Sequence, residues 1–253
     1  MSETATDALA RQAAAYVKGR PNYPVEIEGW LRRELGIGEG KIAVDLGSGT
    51  GKFLPRLLAT GAKVIAMEPL VQMRSHLVNL HPGVDAIEGR AQAIPLADAS
   101  VDAVTCAQCF HLFATNEALR EIRRVLKPGG ALGLIWNIRD TTEPWVTSVV
   151  EIMAPYDQST PHYESGAWKA VFPARGFSEL RDVRFANPQT GSPENVIVDR
   201  VLSTSAIARL PEAERDRVVS KIWDLIAASP ELTGKQTITF PNHCYAYGCR
   251  KEG

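Results

Sequence analysis

The octet Val44-Asp45-Leu46-Gly47-Ser48-Gly49-Thr50-Gly51 joins an apolar run to three glycines separated by single residues. The run, Lys41-Ile42-Ala43-Val44-Asp45-Leu46, is continuous rather than alternating, as expected of a strand buried on both faces of a parallel sheet. Glycines at the carboxyl end of such a strand let the backbone approach a ligand closely, in conformations that a Cβ disfavours. Their spacing discriminates among ligands. A Walker A loop requires glycine five residues before Gly51 and Ser or Thr after Lys52, where the chain has Leu46 and Phe53. A G-x-G-x-x-G dinucleotide fingerprint requires its third glycine at position 52, which is Lys52. The G-x-G-x-G pattern therefore excludes the ATP loop and demotes NAD and FAD.

On both sides of this octet, short apolar runs alternate with helical patterns, which predicts an α/β sheet. Lys63–Met67, Val101–Cys106 and Ala131–Trp136 read as strands, with a shorter one at Val84–Ile87. Phe53, Leu54, Leu57 and Leu58 recur at helical spacing, as do Leu119, Ile122, Val125 and Leu126. The second of these helices is expected to stop near Lys127, with Pro128-Gly129-Gly130 turning the chain into the following strand. Beyond Ile138 the pattern predicts a helix over Thr142–Tyr156, a strand over Phe177–Phe185, two helices within 193–228 and a last strand over Thr237–Cys249. Ser192-Pro193 supplies an N-cap and a first-turn proline for those helices, and Val218, Val219, Ile222, Trp223 and Ile226 form an apolar stripe. Glu68 ends the second strand, seventeen residues after Gly51, where the topology sets it beside the glycine loop to accept hydrogen bonds from ribose hydroxyls. The ligand read from these two segments contains a nucleoside.

The segments VDLGSGTG (44–51), VIAMEP (64–69), GRAQAIPLADASVDAVTCAQCFHLF (89–113) and EIRRVLKPGGALGLIWNIRD (121–140) together resemble the class I S-adenosylmethionine-dependent methyltransferases. Tyr16, Arg20-Pro21, Tyr23-Pro24 and Trp136-Asn137-Ile138-Arg139-Asp140 extend the likeness toward a small-molecule, methyltransferase type 11-like subgroup. The resemblance implies a Rossmann-like, seven-stranded, mostly parallel sheet with helices on both faces, an antiparallel last strand and a helical insertion before it. It implies one domain over 1–253, with an N-terminal helix and cap segment over 1–30, a cofactor-binding core over 40–140 and an acceptor-side region over 141–253. It also implies S-adenosyl-L-methionine as cofactor. Asp45, Gly47, Ser48, Gly49 and Gly51 would then lie at its methionine end, Glu68 at ribose, and Ala91 and Gln92 at adenine, with Ala107 and Arg20 as further contacts. Many relatives carry an acidic side chain around Gly89-Arg90-Ala91, and the alanine here leaves adenine to backbone and Gln92.

Methyl transfer from a sulfonium expels a neutral thioether, so alignment matters more than acid catalysis. Side chains at the carboxyl ends of the fourth and fifth strands are expected to bound the acceptor: Gln108, Phe110 and His111 from one, Asn137 and Arg139 from the other, with Tyr23 nearby. His111 is the candidate catalytic residue, because an imidazole in that position suits a general base; packing over the methionine end of the cofactor is the competing reading. Arg20 and Arg139 suit bidentate contact with a carboxylate, or else are solvated arginines. In Cys106-x-x-Cys109-x-His111, strand periodicity puts the cysteines on opposite faces and no second ligand pair follows, so no metal is expected. Tyr16, Tyr23, Trp136 and Trp145 are either pocket walls or core, and Trp168 reads as core.

Across 253 residues, 28 Lys and Arg face 29 Asp and Glu, and 45% are hydrophobic. That composition predicts a globular chain with ample core and excludes disorder and collagen-like repeats. The near-zero net charge provides no dedicated nucleic-acid surface. No apolar run reaches membrane-spanning length, and the four cysteines, Cys106, Cys109, Cys244 and Cys249, are too few for a secreted disulfide scaffold. A cytoplasmic location follows as the expectation. The expected function is methyl transfer from S-adenosylmethionine to a small-molecule acceptor, releasing S-adenosylhomocysteine. The alternative is a non-catalytic nucleoside-binding or partner-scaffolding protein that retains the pocket.

Overall fold

Seven strands form one sheet in the order β3-β2-β1-β4-β5-β9-β6 in a computed structural model that describes residues 19–156 and 162–253. Tyr16 and the N-terminal helix expected around it lie outside the described residues. The central strands are β1 (Ile42–Leu46), β2 (Lys63–Met67), β3 (Asp85–Ile87), β4 (Val101–Ala107) and β5 (Leu126–Arg139), all parallel to their neighbours. Next to β5 lies β9 (Asn242–Arg250), followed by β6 (Arg181–Ala186). Backbone bonds from Lys251 to Gly130 and from Asp140 to Pro241 run in opposite chain directions, which makes β9 the antiparallel strand. The fold is the expected Rossmann-like seven-stranded sheet.

The chain divides into two compact units, the larger of which comprises Asn22–Asn137, Pro161–Phe185 and Cys244–Gly253. Its helices are α1 (Ile27–Arg33), α2 (Leu54–Leu58), α3 (Val71–Leu80) and α4 (Asn116–Val125). In α4 the Thr115 hydroxyl accepts from the Ala118 amide, a cap contributing about 1 kcal/mol, and Ala118, Leu119, Ile122 and Val125 form the buried face. Leu126 then turns extended, so β5 begins at once. The sequence placed the turn at Pro128-Gly129-Gly130 and the strand start at Ala131; instead, Val101 pairs with Leu126 and Ala103 with Ala131. The extra residues form a bulge within the ladder, with Gly129 at φ +72°. Proline and glycine mark irregular backbone, and they do not by themselves separate a turn from a bulge.

The smaller unit comprises Met1–Pro21, Ile138–Thr160 and Ala186–His243, and its described part is mainly helical. Trp145, Val146, Val149 and Met153 of α5 (Pro144–Met153) share one core with Val196, Ile197, Val201 and Ile207. The two helices expected within 193–228 are four shorter pieces. A π-turn over Glu194–Val198 continues into α6 (Asp199–Leu202), followed by α7 (Ser205–Ala208) and α8 (Glu212–Ala228). Ser203 and Thr204 hydroxyls donate to the carbonyls of Arg200 and Val201, which caps α6 and separates it from α7. Val218, Ile222 and Ile226 of α8 are buried as expected, whereas Trp223 is 43% exposed. The final strand is also divided. Pro241 lacks an amide hydrogen, and before it β8 (Ile238–Phe240) pairs antiparallel with β7 (Gln189–Gly191) as a separate ribbon. Among the described residues no helix is long and apolar enough to cross a membrane.

Candidate functional site

The loop after β1 is tied to the end of β2 by its own backbone. Gly47 and Ser48 amides donate to the Met67 carbonyl at 2.8 and 3.1 Å, and the Gly51 amide closes a turn on Ser48. All three glycines have positive φ, +73°, +57° and +85°, but each has a different surrounding. A Cβ on Gly47 would lie 2.8 Å from Cys109 Sγ, and one on Gly51 would lie 2.8 Å from His81 Cδ2. Among the described residues, a Cβ on Gly49 would meet nothing within 4 Å. Gly47 and Gly51 thus serve packing, while Gly49 presents bare backbone to open space.

Glu68 spans the loop and the segment after β2. One carboxylate oxygen accepts from the Gly49 amide and the other from the Leu70 amide, both at 2.9 Å, and Arg74 donates to the Glu68 carbonyl. Burial pushes its carboxyl pKa up, while these amides and Arg74 oppose the rise. Asp45 pairs with Thr105 across β1 and β4, and Thr105 Oγ1 lies 3.2 Å from Asp45 Oδ1. The other oxygen, Oδ2, is buried with no hydrogen-bond partner among the described residues. Burial pushes the Asp45 pKa up to about 7, with the neighbouring Glu68 charge adding to the rise and the bonds from Thr105 and Ser48 opposing it. A buried carboxylate oxygen without a donor is costly, and a cationic ligand group would relieve it.

At the end of β4 the chain reverses at Gln108, a non-glycine residue at φ +62°. Its amide donates to Ile135 and its side chain to the Asn137 carbonyl at 2.9 Å, which joins the ends of β4 and β5. The reversal leaves Cys109 buried just past the end of β4, near the Cys106 thiol. Cys109 donates to the Leu46 carbonyl, and the neighbouring Cys106 thiol together with burial holds its own thiol well above the usual range. His111 is partly buried, and its Nδ1 accepts from the Trp136 indole at 3.0 Å. An indole N–H only donates, so Nδ1 is the lone-pair nitrogen and the neutral ring carries its hydrogen on Nε2.

Ala107 is partly exposed at the end of β4, Asn137 is buried and donates to the Asn22 carbonyl, and buried Tyr23 meets Phe53 edge-on at 4.8 Å between ring centres. Ala91 is buried and Gln92 exposed after β3. Arg20 and Arg139 belong to the smaller unit. Trp136 and Trp168 are buried in an aromatic cluster with Tyr163 and Tyr247, whose hydroxyls are 2.7 Å apart. Trp145 is core in the smaller unit. Sequence reasoning missed Thr105, although a threonine within the apolar run Val101–Ala107 was a signal that something polar lay opposite. Tyr163 and Tyr247 carried no comparable signal. A cavity of about 430 Å³ lined by Asp98, Arg120, Arg123, Arg124 and Lys251 lies at the other edge of the sheet, where β4 and β5 begin, away from this loop.

A parallel sheet whose first strand delivers an open glycine loop, held by an acidic residue at the end of the second, defines a Rossmann-like methyltransferase. Residues 44–134 match the family model described as "Methyltransferase domain". A methyltransferase-like protein of Schizosaccharomyces pombe is 40% identical over 94% of this chain and 93% of its own length. A Mycobacterium tuberculosis methyltransferase is 33% identical over 90% of this chain and 88% of its own. The chain belongs to the class I S-adenosylmethionine-dependent methyltransferase family. Among solved structures, a protein of Anaeromyxobacter dehalogenans assigned as a type II methyltransferase shares the fold at TM-score 0.66 and 23% identity, covering 92% of this chain and 97% of its own. A phosphoethanolamine N-methyltransferase of Haemonchus contortus, solved with S-adenosyl-L-methionine, gives TM-score 0.58 at 16% identity, covering 99% of this chain and 58% of its own.

Proposed function

We propose that the loop at Asp45–Gly51 holds S-adenosyl-L-methionine and that the protein transfers its methyl group to a small-molecule acceptor, releasing S-adenosylhomocysteine. The observation that carries this reading is the buried, unpartnered Oδ2 of Asp45 beside a loop whose central glycine faces open space. A sulfonium amino acid with a nucleoside fits that donor set: its ammonium suits Asp45, its ribose hydroxyls suit the remaining lone pairs of Glu68, and its bulk suits the bare backbone at Gly49. When bound, this cofactor supplies an activated methyl group and a neutral leaving thioether.

The chain's own residues position rather than activate. Glu68 fixes Gly49 by its amide, so ribose recognition and loop shape depend on one carboxylate. The Trp136 indole fixes the tautomer of His111, leaving Nε2 as a hydrogen-bond donor in the neutral ring. That assignment favours an orienting role for His111 and an acceptor atom that arrives with its lone pair available. The test is transfer of labelled methyl from S-adenosylmethionine to a panel of carboxylates, thiols, phenols and amines. The expected result is S-adenosylhomocysteine formed in step with one acceptor class. Tight S-adenosylhomocysteine binding without transfer to any class would replace the enzyme reading with non-catalytic nucleoside binding.

A further inference from the structure

The cavity of about 430 Å³ at the sheet edge opposite the glycine loop is walled by cations. Helix α4 contributes Arg120, Arg123 and Arg124, at the i, i+3 and i+4 spacing that sets side chains on one helix face. Lys251, just after β9, forms another wall. Its amide donates to the Gly130 carbonyl, its carbonyl accepts from the Gly129 amide, and its Nζ donates to the Leu126 carbonyl at 2.6 Å. The bulge in β5 thus fixes this lysine against the end of α4.

The charges do not balance. Asp98, the one carboxylate among the lining residues, bonds Arg124 at 2.7 Å, and Glu121 takes the same guanidinium through Nε and Nη2. Arg124 is thereby neutralised. Among the described residues no carboxylate lies within ion-pair distance of Arg120, Arg123 or Lys251. Arg120 is exposed and makes no hydrogen bond to them. Arg123 spends two of its five N–H donors on the carbonyls of Gly176 and Glu252, and Lys251 spends one of three. Carbonyls anchor these half-buried side chains without cancelling their charge, so donors remain for a ligand. Like charges one helical turn apart repel, and an anion between them turns that repulsion into attraction. The turn that completes the lining is strained: Ala99 holds φ +48°, with its amide donating to the Arg124 carbonyl. Backbone kept in so sparse a region clusters at ligand sites.

We propose that this cavity binds a small phosphorylated molecule, its phosphate held by Arg120, Arg123 and Lys251. Cations reaching in from two elements suit a tetrahedral group with about two negative charges and three acceptor oxygens better than a planar monocarboxylate. The volume falls in the range of about 300–1,000 Å³ typical of small-molecule sites, which leaves room for the body of the ligand. Every residue involved belongs to the larger unit, and the site stands apart from the methyl-transfer reading.

The test titrates pyrophosphate into the protein by calorimetry at about 0.15 M salt, where weak charge attraction is screened. Arg120→Gln and Arg120→Glu change an exposed side chain that has no partners among the described residues, and Arg217→Gln on α8 is the control. Wild type and control are expected to bind one pyrophosphate, Arg120→Gln to lose about tenfold in affinity, and Arg120→Glu to bind none. Saturating S-adenosylhomocysteine should leave these affinities unchanged; loss of pyrophosphate binding in its presence would move the anion to the glycine loop and overturn the cavity site. No binding by wild type, or equal affinity in wild type and Arg120→Glu, would overturn it as well. Citrate binding as tightly as pyrophosphate, or adhesion to phosphatidic-acid vesicles without binding of free pyrophosphate, would overturn the assignment to a small phosphorylated ligand.

Discussion

Asp45 holds a proton more tightly than an aspartate in water does, because burial and the nearby Glu68 charge raise its pKa to about 7. Between about pH 4 and 7 the native protein keeps a proton that the unfolded chain releases. The stability this contributes is fully present below about pH 4 and is lost as pH rises through 7. A cationic ligand beside Oδ2 favours the carboxylate, so its affinity should fall as pH drops below 7. Asp45→Asn is expected to remove both pH dependences and to weaken S-adenosylhomocysteine about ten- to a hundredfold, as loss of a charge-assisted bond does. Unfolding midpoints and calorimetry between pH 5.5 and 8.5 check this; identical pH profiles in the two proteins would contradict it. Glu68→Gln should cost a similar factor in affinity, because an amide cannot accept from both Gly49 and Leu70. Glu68→Ala should additionally speed amide exchange at Gly49 and Leu70, since Glu68 shapes the loop through both amides. Glu68 was legible in the sequence because it ends an apolar run at the right distance from the glycines. The burial of Arg200 was not, since one arginine among helical residues carries no mark of it.

At the scale of elements, the apolar runs of β1, β2 and β4 are legible because strands buried on both faces must be apolar throughout. The bulge at Lys127–Gly130 and the break at Pro241 were misplaced because proline and glycine permit several backbone paths, and pairing with β4 and β7 selects among them. The glycine loop offers a cleaner test of local shape. Gly47→Ala puts a Cβ against Cys109 Sγ at positive φ and should cost at least about 1–2 kcal/mol, lowering the unfolding midpoint by several degrees. Gly49→Ala should cost less stability, because nothing lies within 4 Å of its Cβ, and more cofactor affinity. Equal effects of the two on both measurements would contradict the assignment. In the turn after β4, His111→Ala should reduce turnover by about tenfold with a flat pH profile, where loss of a general base would cost about 10²–10⁴-fold. Trp136→Phe removes only the indole donor, and a new pH inflection in that variant would show that Trp136 had fixed the tautomer of His111.

For the whole molecule, the chain forms two compact units, each with its own core, and the glycine loop lies in the larger. Saturating S-adenosylhomocysteine at a hundred times its dissociation constant should stabilise the protein by about 2.7 kcal/mol. Hydrogen exchange should assign most of that protection to Asp45–Gly51 and to the segment after β2. The central claim is that the open backbone at Gly49 receives an S-adenosyl ligand, and calorimetric titration of S-adenosylhomocysteine into wild type and Gly49→Val tests it most directly. The predicted result is one-to-one binding by wild type and none by a Gly49→Val protein whose circular dichroism shows it folded. Unchanged affinity in that variant, or no binding by wild type, would contradict the claim.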